Sequence, residues 1–212
     1  MKKNYAVLLF VLITVLSCSI VSARDYVCYI LEDAHVFQNK PSETFDLRYL
    51  EIWDAPNYKR YGFFKFDFPR IGRDEEIESI TFTIQNFKNG DHENVDEHFI
   101  YYCSDSKWSE QTINWNNAPL DGIGYNPIGS NKMGKTGWID FDITALKDSV
   151  KLGSTATIVM MQENNSAASP YTAWYSRQTN WAIPYITVKT KSGKEVSSGE
   201  NIGKITGQIV EK

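Results

Sequence analysis

The chain has 212 residues, of which 42% are hydrophobic and 14% aromatic, and its formal net charge at pH 7 is −4. This length is typical of one or two domains, and the apolar fraction is sufficient for a buried core. The small negative charge and the lack of a basic tract disfavour nucleic-acid binding, because a protein that binds nucleic acid neutralises a row of phosphates.

Residues 1–23 have the pattern of a secretory signal peptide. Two lysines precede an apolar run over residues 6–15, and small residues at positions 21–23 offer a cleavage site before Arg24. The alternative is a lipoprotein cleavage site, so we expect a secreted protein or one anchored at the cell surface through a lipid on Cys18. No later segment is apolar enough to span a membrane. Without the leader, 20 basic residues face 26 acidic ones, and the net charge becomes −6.

Removal of the leader leaves two cysteines, Cys28 and Cys103. In an oxidising compartment a disulfide between them is allowed, and it would join the first strand to the strand that precedes residue 108. The alternative is two separately buried thiols, which also suit strands. The chain has no Cys-x-x-Cys motif or Cys/His cluster, which argues against a zinc site.

Alternation of apolar and polar residues predicts short strands along most of the remaining chain. The period of two is strictest over residues 61–68. Residues 144–150 offer the only plausible helix, of one or two turns. Residues 191–212 are rich in Gly, Ser, Glu and Lys, which is typical of a flexible tail. The predicted strands cover residues 26–37, 47–53, 61–68, 80–87, 97–102, 138–143, 155–162, 174–176 and 184–191, with at most one further short strand at 125–128.

About nine short strands with almost no helix predict an all-β fold, an antiparallel β-sandwich with at most one short helix. Within the strand at 47–53, the period of two places Tyr49, Glu51 and Trp53 on one face and Leu50 on the other. One domain accounts for all the strands.

The most distinctive stretch is WSEQTINWNNAP, over residues 108–119. It resembles the signature W-S-E-x-T-x-x-W-N-N-A-P of the secreted modules called DNRLRE domains, which are classed with carbohydrate-binding module family 96. Further segments resemble the family pattern in the same order: DAHV at 33–36, YGFFKFD at 61–67, WIDFDIT at 138–144, SR at 176–177 and IPYI at 183–186.

This resemblance covers roughly residues 30–190, so we assign residues 24–190 to one such module. The chain departs from the family pattern at His35, Gln178 and Ile183. The resemblance implies a jelly-roll sandwich that binds carbohydrate. A polyanionic ligand would meet a net-repulsive field unless it found a local basic patch, so a neutral polysaccharide is the better fit.

Nothing in the sequence indicates a catalytic centre. The three histidines are scattered and lack a neighbouring nucleophile motif. A glycosidase needs two carboxylates that flank the bond to be broken, but among 26 acidic residues some pair occurs by chance. We therefore expect no enzyme and name no catalytic residue.

Sugars offer apolar C–H faces and hydroxyl rims, which suit aromatic rings beside polar side chains. Three tryptophans lie in the family pattern, Trp108, Trp115 and Trp138, and we expect them to be buried anchors. Other aromatic residues lie at strand ends or in loops, where ligand contacts are commoner. Together with arginines of a local basic patch, they give the ligand-binding candidates Trp53, Tyr58, Arg60, Tyr125, Trp174, Arg177 and Trp181.

A structural Ca²⁺ ion is a further expectation, because jelly-roll modules related to this family often hold one between edge strands. Ca²⁺ takes six to eight oxygen ligands. Asp33, Glu51 and Asp142 lie near strand ends and are the candidate ligands. Alternatively, Asp142 caps the helix that follows it.

The sequence thus predicts a secreted, non-catalytic carbohydrate-binding module that attaches to polysaccharide. One alternative is a structural or adhesive matrix or cell-wall protein that contacts other proteins. Another is a polysaccharide lyase or hydrolase on the same fold.

Overall fold

The computed structural model describes residues 23–88, 96–133, 136–162 and 171–192. The predicted signal peptide, including Cys18, lies outside these residues except for Ala23, and so does the predicted tail beyond Ser192. No helix in the described segments is long and apolar enough to cross a membrane.

The regular structure of the described chain is almost entirely antiparallel strands, which confirms the predicted all-β sandwich. Its two helices are short 3₁₀-helices, Leu120–Gly122 and Thr144–Asp148. The strands are β1 (Asp25–Phe37), β2 (Tyr49–Ile52), β3 (Arg60–Asp67), β4 (Glu75–Lys88), β5 (Asp96–Cys103), β6 (Gly129–Met133), β7 (Gly137–Asp142), β8 (Thr155–Gln162), β9 (Thr172–Tyr175) and β10 (Tyr185–Ser192).

Strand β1 belongs to both sheets of the sandwich. Its first part, residues 25–29, pairs with β10, whereas residues 30–37 pair with β3. Sheet 1 has the order β2-β9-β4-β10-β1, with β7 also paired to β4, and sheet 2 has the order β1-β3-β8-β5-β6. The register of β1 against β3 shifts between Ile30 and Glu32. Such a bulge bends a strand, which lets β1 pass from one sheet to the other.

The main core lies between the two sheets, where the apolar faces of their strands meet. Phe64 of sheet 2 packs on Phe82 of sheet 1, with ring centroids 5.0 Å apart. Trp174 and Phe141 fill the same layer at 6.0 Å from each other. Burial of each such side chain contributes about 1.5–3 kcal/mol to folding.

Sheet 2 is also buried on its outer face, and this gives the module a second apolar cluster. Val36 and Phe63 lie there, covered by Trp108 and Ile113. Both covering residues belong to the segment 104–119, which therefore forms a lid over sheet 2. Strand β3 accordingly contains five consecutive buried residues, a pattern typical of strands that are covered on both faces.

Two predicted elements differ in the structure. Residues 144–150 form a 3₁₀-helix over Thr144–Asp148 rather than an α-helix, and the extra strand is Gly129–Met133 rather than 125–128. This strand is polar and lacks an apolar period, so only its pairing with β5 defines it.

The predicted disulfide is wrong, because Cys28 and Cys103 are both free and buried. Cys28 faces the main core, whereas Cys103 lies in the second cluster on the other side of sheet 2. Burial raises the pKa of the Cys28 thiol to about 11 and also raises that of Cys103. The alternative of two separately buried thiols describes the molecule.

Candidate functional site

Four aromatic side chains from sheet 1 and the loop after it contact one another in a row on the outer face. Their neighbours along the strands, Leu50 and Trp174, point into the core, so alternation turns these rings outward. Trp181 is 64% exposed, and Tyr49 and Phe87 are each 38% exposed. Successive ring centroids are 4.3 Å apart for Trp181 and Tyr175, 4.5 Å for Tyr175 and Phe87, and 6.2 Å for Phe87 and Tyr49.

A second aromatic cluster surrounds Arg60 at the start of β3. The guanidinium carbon lies 4.3 Å from the ring centroid of Phe37, 5.0 Å from that of Trp53 and 5.1 Å from that of Tyr171. Such cation–π contacts are favourable, and they fix the plane of the guanidinium group. Arg60 also forms an ion pair with Glu51, which neutralises its charge.

Tyr58 extends this cluster towards solvent. It lies in the tight turn between β2 and β3, where its N–H donates to the Ala55 carbonyl at 2.9 Å. Asn57 makes the turn with a φ of 66°, a conformation that asparagine tolerates better than most residues. The Tyr58 ring is 47% exposed and its centroid lies 5.6 Å from that of Trp53.

The two clusters share one face of β2 and of the residue that follows it. The period of two places Tyr49, Glu51 and Trp53 on the same side of the chain, and Trp53 forms a β-bridge with Arg60. Lys88 adds a further cation, with its Nζ atom 4.0 Å from the Tyr171 ring centroid. We call the combined surface the aromatic strip; it consists of Trp181, Tyr175, Phe87, Tyr49, Tyr171, Trp53 and Tyr58, with the charged residues Glu51, Arg60 and Lys88.

His35 supports the strip from beneath. Its pKa is lowered to about 3 by burial and by the nearby charge of Arg60, so the ring is neutral near pH 7. The Nδ1 atom accepts a hydrogen bond from the Glu51 N–H at 2.7 Å, which fixes β2 against β1. Burial raises the pKa of Glu51, against the lowering effect of Arg60 and Lys88.

A buried polar cluster joins three segments that carry the family motif. The Arg177 guanidinium pairs with Glu110, and the Arg177 N–H donates to Asp33 Oδ2 at 2.7 Å. The Asp33 N–H in turn donates to Glu110 Oε2 at 3.2 Å. Asp33 is 1% exposed, and burial raises its pKa to about 7. These contacts hold the lid segment, β1 and the turn after β9 together.

The lid itself is anchored by Trp108. The indole N–H donates to the Thr157 hydroxyl at 3.0 Å, and the ring packs edge-on against Phe63 at 5.9 Å. Lys65 lies 4.5 Å from the indole and pairs with Glu32 at 2.7 Å. Trp108 is therefore the buried anchor that the sequence predicted.

The structure brings four of the seven ligand candidates together in the aromatic strip: Trp53, Tyr58, Arg60 and Trp181. The other three lie elsewhere. Tyr125 is fully exposed in the loop before β6. Trp174 was a wrong prediction, because it is buried in the core and its indole N–H donates to the Thr172 hydroxyl at 3.0 Å. Arg177 is held in the Glu110 ion pair.

Among the other tryptophans of the family pattern, one packs against an apolar cluster and one is exposed. Trp115 packs against the second cluster, but it is partly buried rather than fully buried. Trp138 does not, since it is 49% exposed on the outer face of sheet 1 beside Tyr185. Phe87 and Tyr175 are surface residues that were not among the candidates from the sequence. Both alternate with buried neighbours on β4 and β9, and this alternation in the sequence could have indicated that they face solvent.

Each of the three calcium candidates has its own partner in the structure. Asp33 belongs to the Arg177 cluster, Glu51 pairs with Arg60, and Asp142 accepts hydrogen bonds from the Thr144 N–H at 2.9 Å and hydroxyl at 2.6 Å. Asp142 thus caps the turn that follows it, as the alternative interpretation had it. Across the described ranges, no three His, Cys, Asp or Glu side chains could hold a metal ion together.

The model of carbohydrate-binding module family 96 matches residues 29–190, which is most of the chain. The chain belongs to carbohydrate-binding module family 96. A search of curated proteins found no match. For a module of this family, exposed aromatic rings are the groups on which a sugar can stack. The aromatic strip contains four exposed rings, those of Trp181, Phe87, Tyr49 and Tyr58, and three partly exposed ones.

Proposed function

We propose that the protein is a secreted, non-catalytic module that attaches to polysaccharide through the aromatic strip. The observation that carries this proposal is the row of contacting rings from Trp181 to Tyr49, with Trp53 on the same face of β2 and Tyr58 against Trp53. Aromatic faces pack against the C–H faces of sugar rings, and the neighbouring charged groups offer hydrogen bonds to sugar hydroxyls. The predicted leader at residues 1–23 supports secretion.

The charges in the strip favour a neutral glycan. The charges of Arg60 and Glu51 cancel in their ion pair, so Lys88 is the one further charge of the strip. The mature chain as a whole carries an excess of acidic residues, so a polyanion meets a repulsive field before it reaches the strip. Glu51, Arg60 and Lys88 still suit hydroxyl groups, because a carboxylate accepts and a cation donates hydrogen bonds.

The buried carboxylates support a non-catalytic role. Glycoside hydrolysis needs two carboxyl groups that reach the substrate from either side. Asp33 and Glu110 lie together, but they are 1% and 7% exposed and both bind Arg177. A polysaccharide cannot reach them without opening of the lid segment.

A second candidate function is that of a matrix or cell-wall protein that contacts other proteins. An exposed apolar group beside the strip favours it: Val27 is 52%, Tyr29 64% and Trp138 49% exposed on the outer face of sheet 1. Large exposed apolar side chains that lie together commonly mark protein contacts.

Binding of the full secreted chain to insoluble polysaccharides tests the proposal. Neutral β-linked glucans, mannans and xylans are compared with acidic polyuronates in a sedimentation assay. We expect saturable binding to a neutral polymer, weakened at least about tenfold in Trp181→Ala, which corresponds to about 1.4 kcal/mol. Tyr125→Ala is the matched control, since this ring is exposed outside the strip. Equal loss in both variants, or no binding by the folded protein, would contradict the proposal and favour the protein-contact alternative.

A further inference from the structure

The outer face of sheet 1 carries a second row of aromatic rings beside the aromatic strip. Tyr29 is 64% exposed and Trp138 is 49% exposed. Tyr185 lies between them: it is opposite Tyr29 in the pairing of β1 with β10, and its ring centroid is 6.1 Å from that of Trp138. The chain neighbours Cys28 and Ile186 are buried in the main core, so alternation turns these rings outward. We call Trp138, Tyr185 and Tyr29 the second row.

The second row runs alongside the strip. The strip crosses sheet 1 from β4 through β9 to β2, and the second row crosses it from β7 through β10 to β1. Gln85 of β4 is opposite Trp138, and Thr83 is opposite Tyr185. Phe87 of the strip follows two residues beyond Gln85. Because a strand rises about 3.4 Å per residue, the two rows are roughly 7–14 Å apart at β4.

Hydrogen-bonding side chains lie among the rings of the second row. Gln85 is partly exposed between Trp138 and the strip. Asp140 is exposed two residues after Trp138, and it accepts a hydrogen bond from the Thr83 hydroxyl at 2.7 Å. Amide and carboxylate groups suit sugar hydroxyls, whereas the rings suit the apolar C–H faces of sugars. The negative charge of Asp140 beside the rings disfavours an acidic glycan.

The strip and the second row form one aromatic surface. Trp138 is the diagonal neighbour of Phe87 across the pairing of β7 with β4, a separation that large aromatic side chains can bridge. An extended ligand that rests on the strip therefore meets the second row as well. This continuity favours polysaccharide over a protein partner as the ligand of the second row.

We propose that the outer face of sheet 1 binds two neighbouring chains of an insoluble neutral polysaccharide, one along the aromatic strip and one along the second row. This ligand class rests on the proposed function. The ligand is then the surface of a polymer whose chains lie side by side, rather than one isolated chain. Once one chain rests on the strip, contact of its neighbour with the second row is intramolecular, so it strengthens attachment to the polymer.

Binding to an insoluble polymer and to a soluble piece of it tests the proposal. The full secreted chain is sedimented with insoluble β-1,4-linked glucan, mannan and xylan, and it is titrated calorimetrically with the corresponding soluble hexasaccharides. Tyr29→Ala and Trp138→Ala each remove an exposed ring of the second row. Tyr125→Ala is the matched control, because its ring is exposed outside both rows.

We expect Tyr29→Ala and Trp138→Ala to weaken binding to the insoluble polymer at least about tenfold, because they remove the second contact with the same particle. Binding of the hexasaccharide to the strip should be unchanged in both variants, which also shows that they are folded. Trp181→Ala should weaken the binding of both forms. Tyr125→Ala should weaken neither.

Unchanged binding of the insoluble polymer in both second-row variants would overturn the two-chain surface, leave the strip intact and favour a protein partner for the second row. An equal loss for the polymer and the hexasaccharide would also overturn it, because a single chain would then span both rows. If the folded wild type binds neither form of any polymer, the proposed function fails as well.

Discussion

Asp33 shows how a single buried group links the family motif to pH. Its carboxyl group is 1% exposed, and burial outweighs the favourable contacts with Arg177, so its pKa rises to about 7. In an unfolded chain an aspartate titrates near ~4. The folded protein thus holds this proton more tightly than the unfolded chain does. Stability that is present below about pH 4 is therefore lost as the pH rises towards 7.

We predict that Asp33→Asn removes this pH dependence, because the amide has the shape of the protonated carboxyl group and does not titrate. The free energy of unfolding of the variant, relative to the wild type, should increase between pH 5 and pH 8. Urea unfolding at both pH values measures the difference, with Asp148→Asn as the control at an exposed position. The same pH dependence in both variants would show that Asp33 is ionised in the fold at neutral pH.

The burial of individual aromatic residues could be predicted from the sequence at some positions and not at others. Trp174 and Trp181 both lie in the same short polar region, yet one is buried and the other is 64% exposed. Sequence spacing cannot separate them, because the pairing of β9 with β2 and β4 determines which side chain faces the core. For Tyr49 and Trp53, the period of two was sufficient to predict that they share a face of the strand. That face carries the aromatic strip.

At the scale of elements, β6 shows where pairing rather than pattern defines a strand. Its sequence GSNKM has no apolar alternation, but it closes the edge of sheet 2 against β5. It also contacts β7 of sheet 1, since Asn131 donates to the Asp140 carbonyl at 2.7 Å. Gly129 allows this approach: a Cβ atom there would lie 2.2 Å from the Asp142 carbonyl oxygen.

We predict that Gly129→Ala destabilises the protein by about 1–3 kcal/mol, because the backbone of β7 has to move to make room. Gly124→Ala is the matched control, since its Cβ atom would meet its nearest neighbour at an ordinary distance of 3.5 Å. Denaturant unfolding of the two variants provides the comparison. Equal stability of Gly129→Ala and Gly124→Ala would mean that β6 and β7 separate at little cost.

The lid segment was recognisable from its sequence, but its role was not. The signature at 108–119 predicted an ordered excursion with buried tryptophans, and Trp108 confirms that for its own position. The Glu110–Arg177 ion pair could not be foreseen, because it joins residues far apart in the chain. Tertiary contacts of this kind leave no local pattern.

For the molecule as a whole, apolar packing, a shared strand and a buried polar cluster hold the two sheets and the lid together. The main core fills the space between the sheets, β1 runs through both, and the cluster of Asp33, Glu110 and Arg177 fixes the lid. The carboxylates that the sequence suggested as calcium ligands each have a separate partner within the described chain.

We predict that neither millimolar Ca²⁺ nor a chelator changes the melting temperature of the full secreted chain by more than about 1 °C, because a ligand stabilises only a protein to which it binds. Mg²⁺ at the same concentration is the control for general salt effects. A saturable rise in melting temperature with Ca²⁺ alone would contradict this prediction. In that case Asp33→Asn, Glu51→Gln and Asp142→Asn would identify the ligand, since only the variant that lacks a true ligand loses the rise.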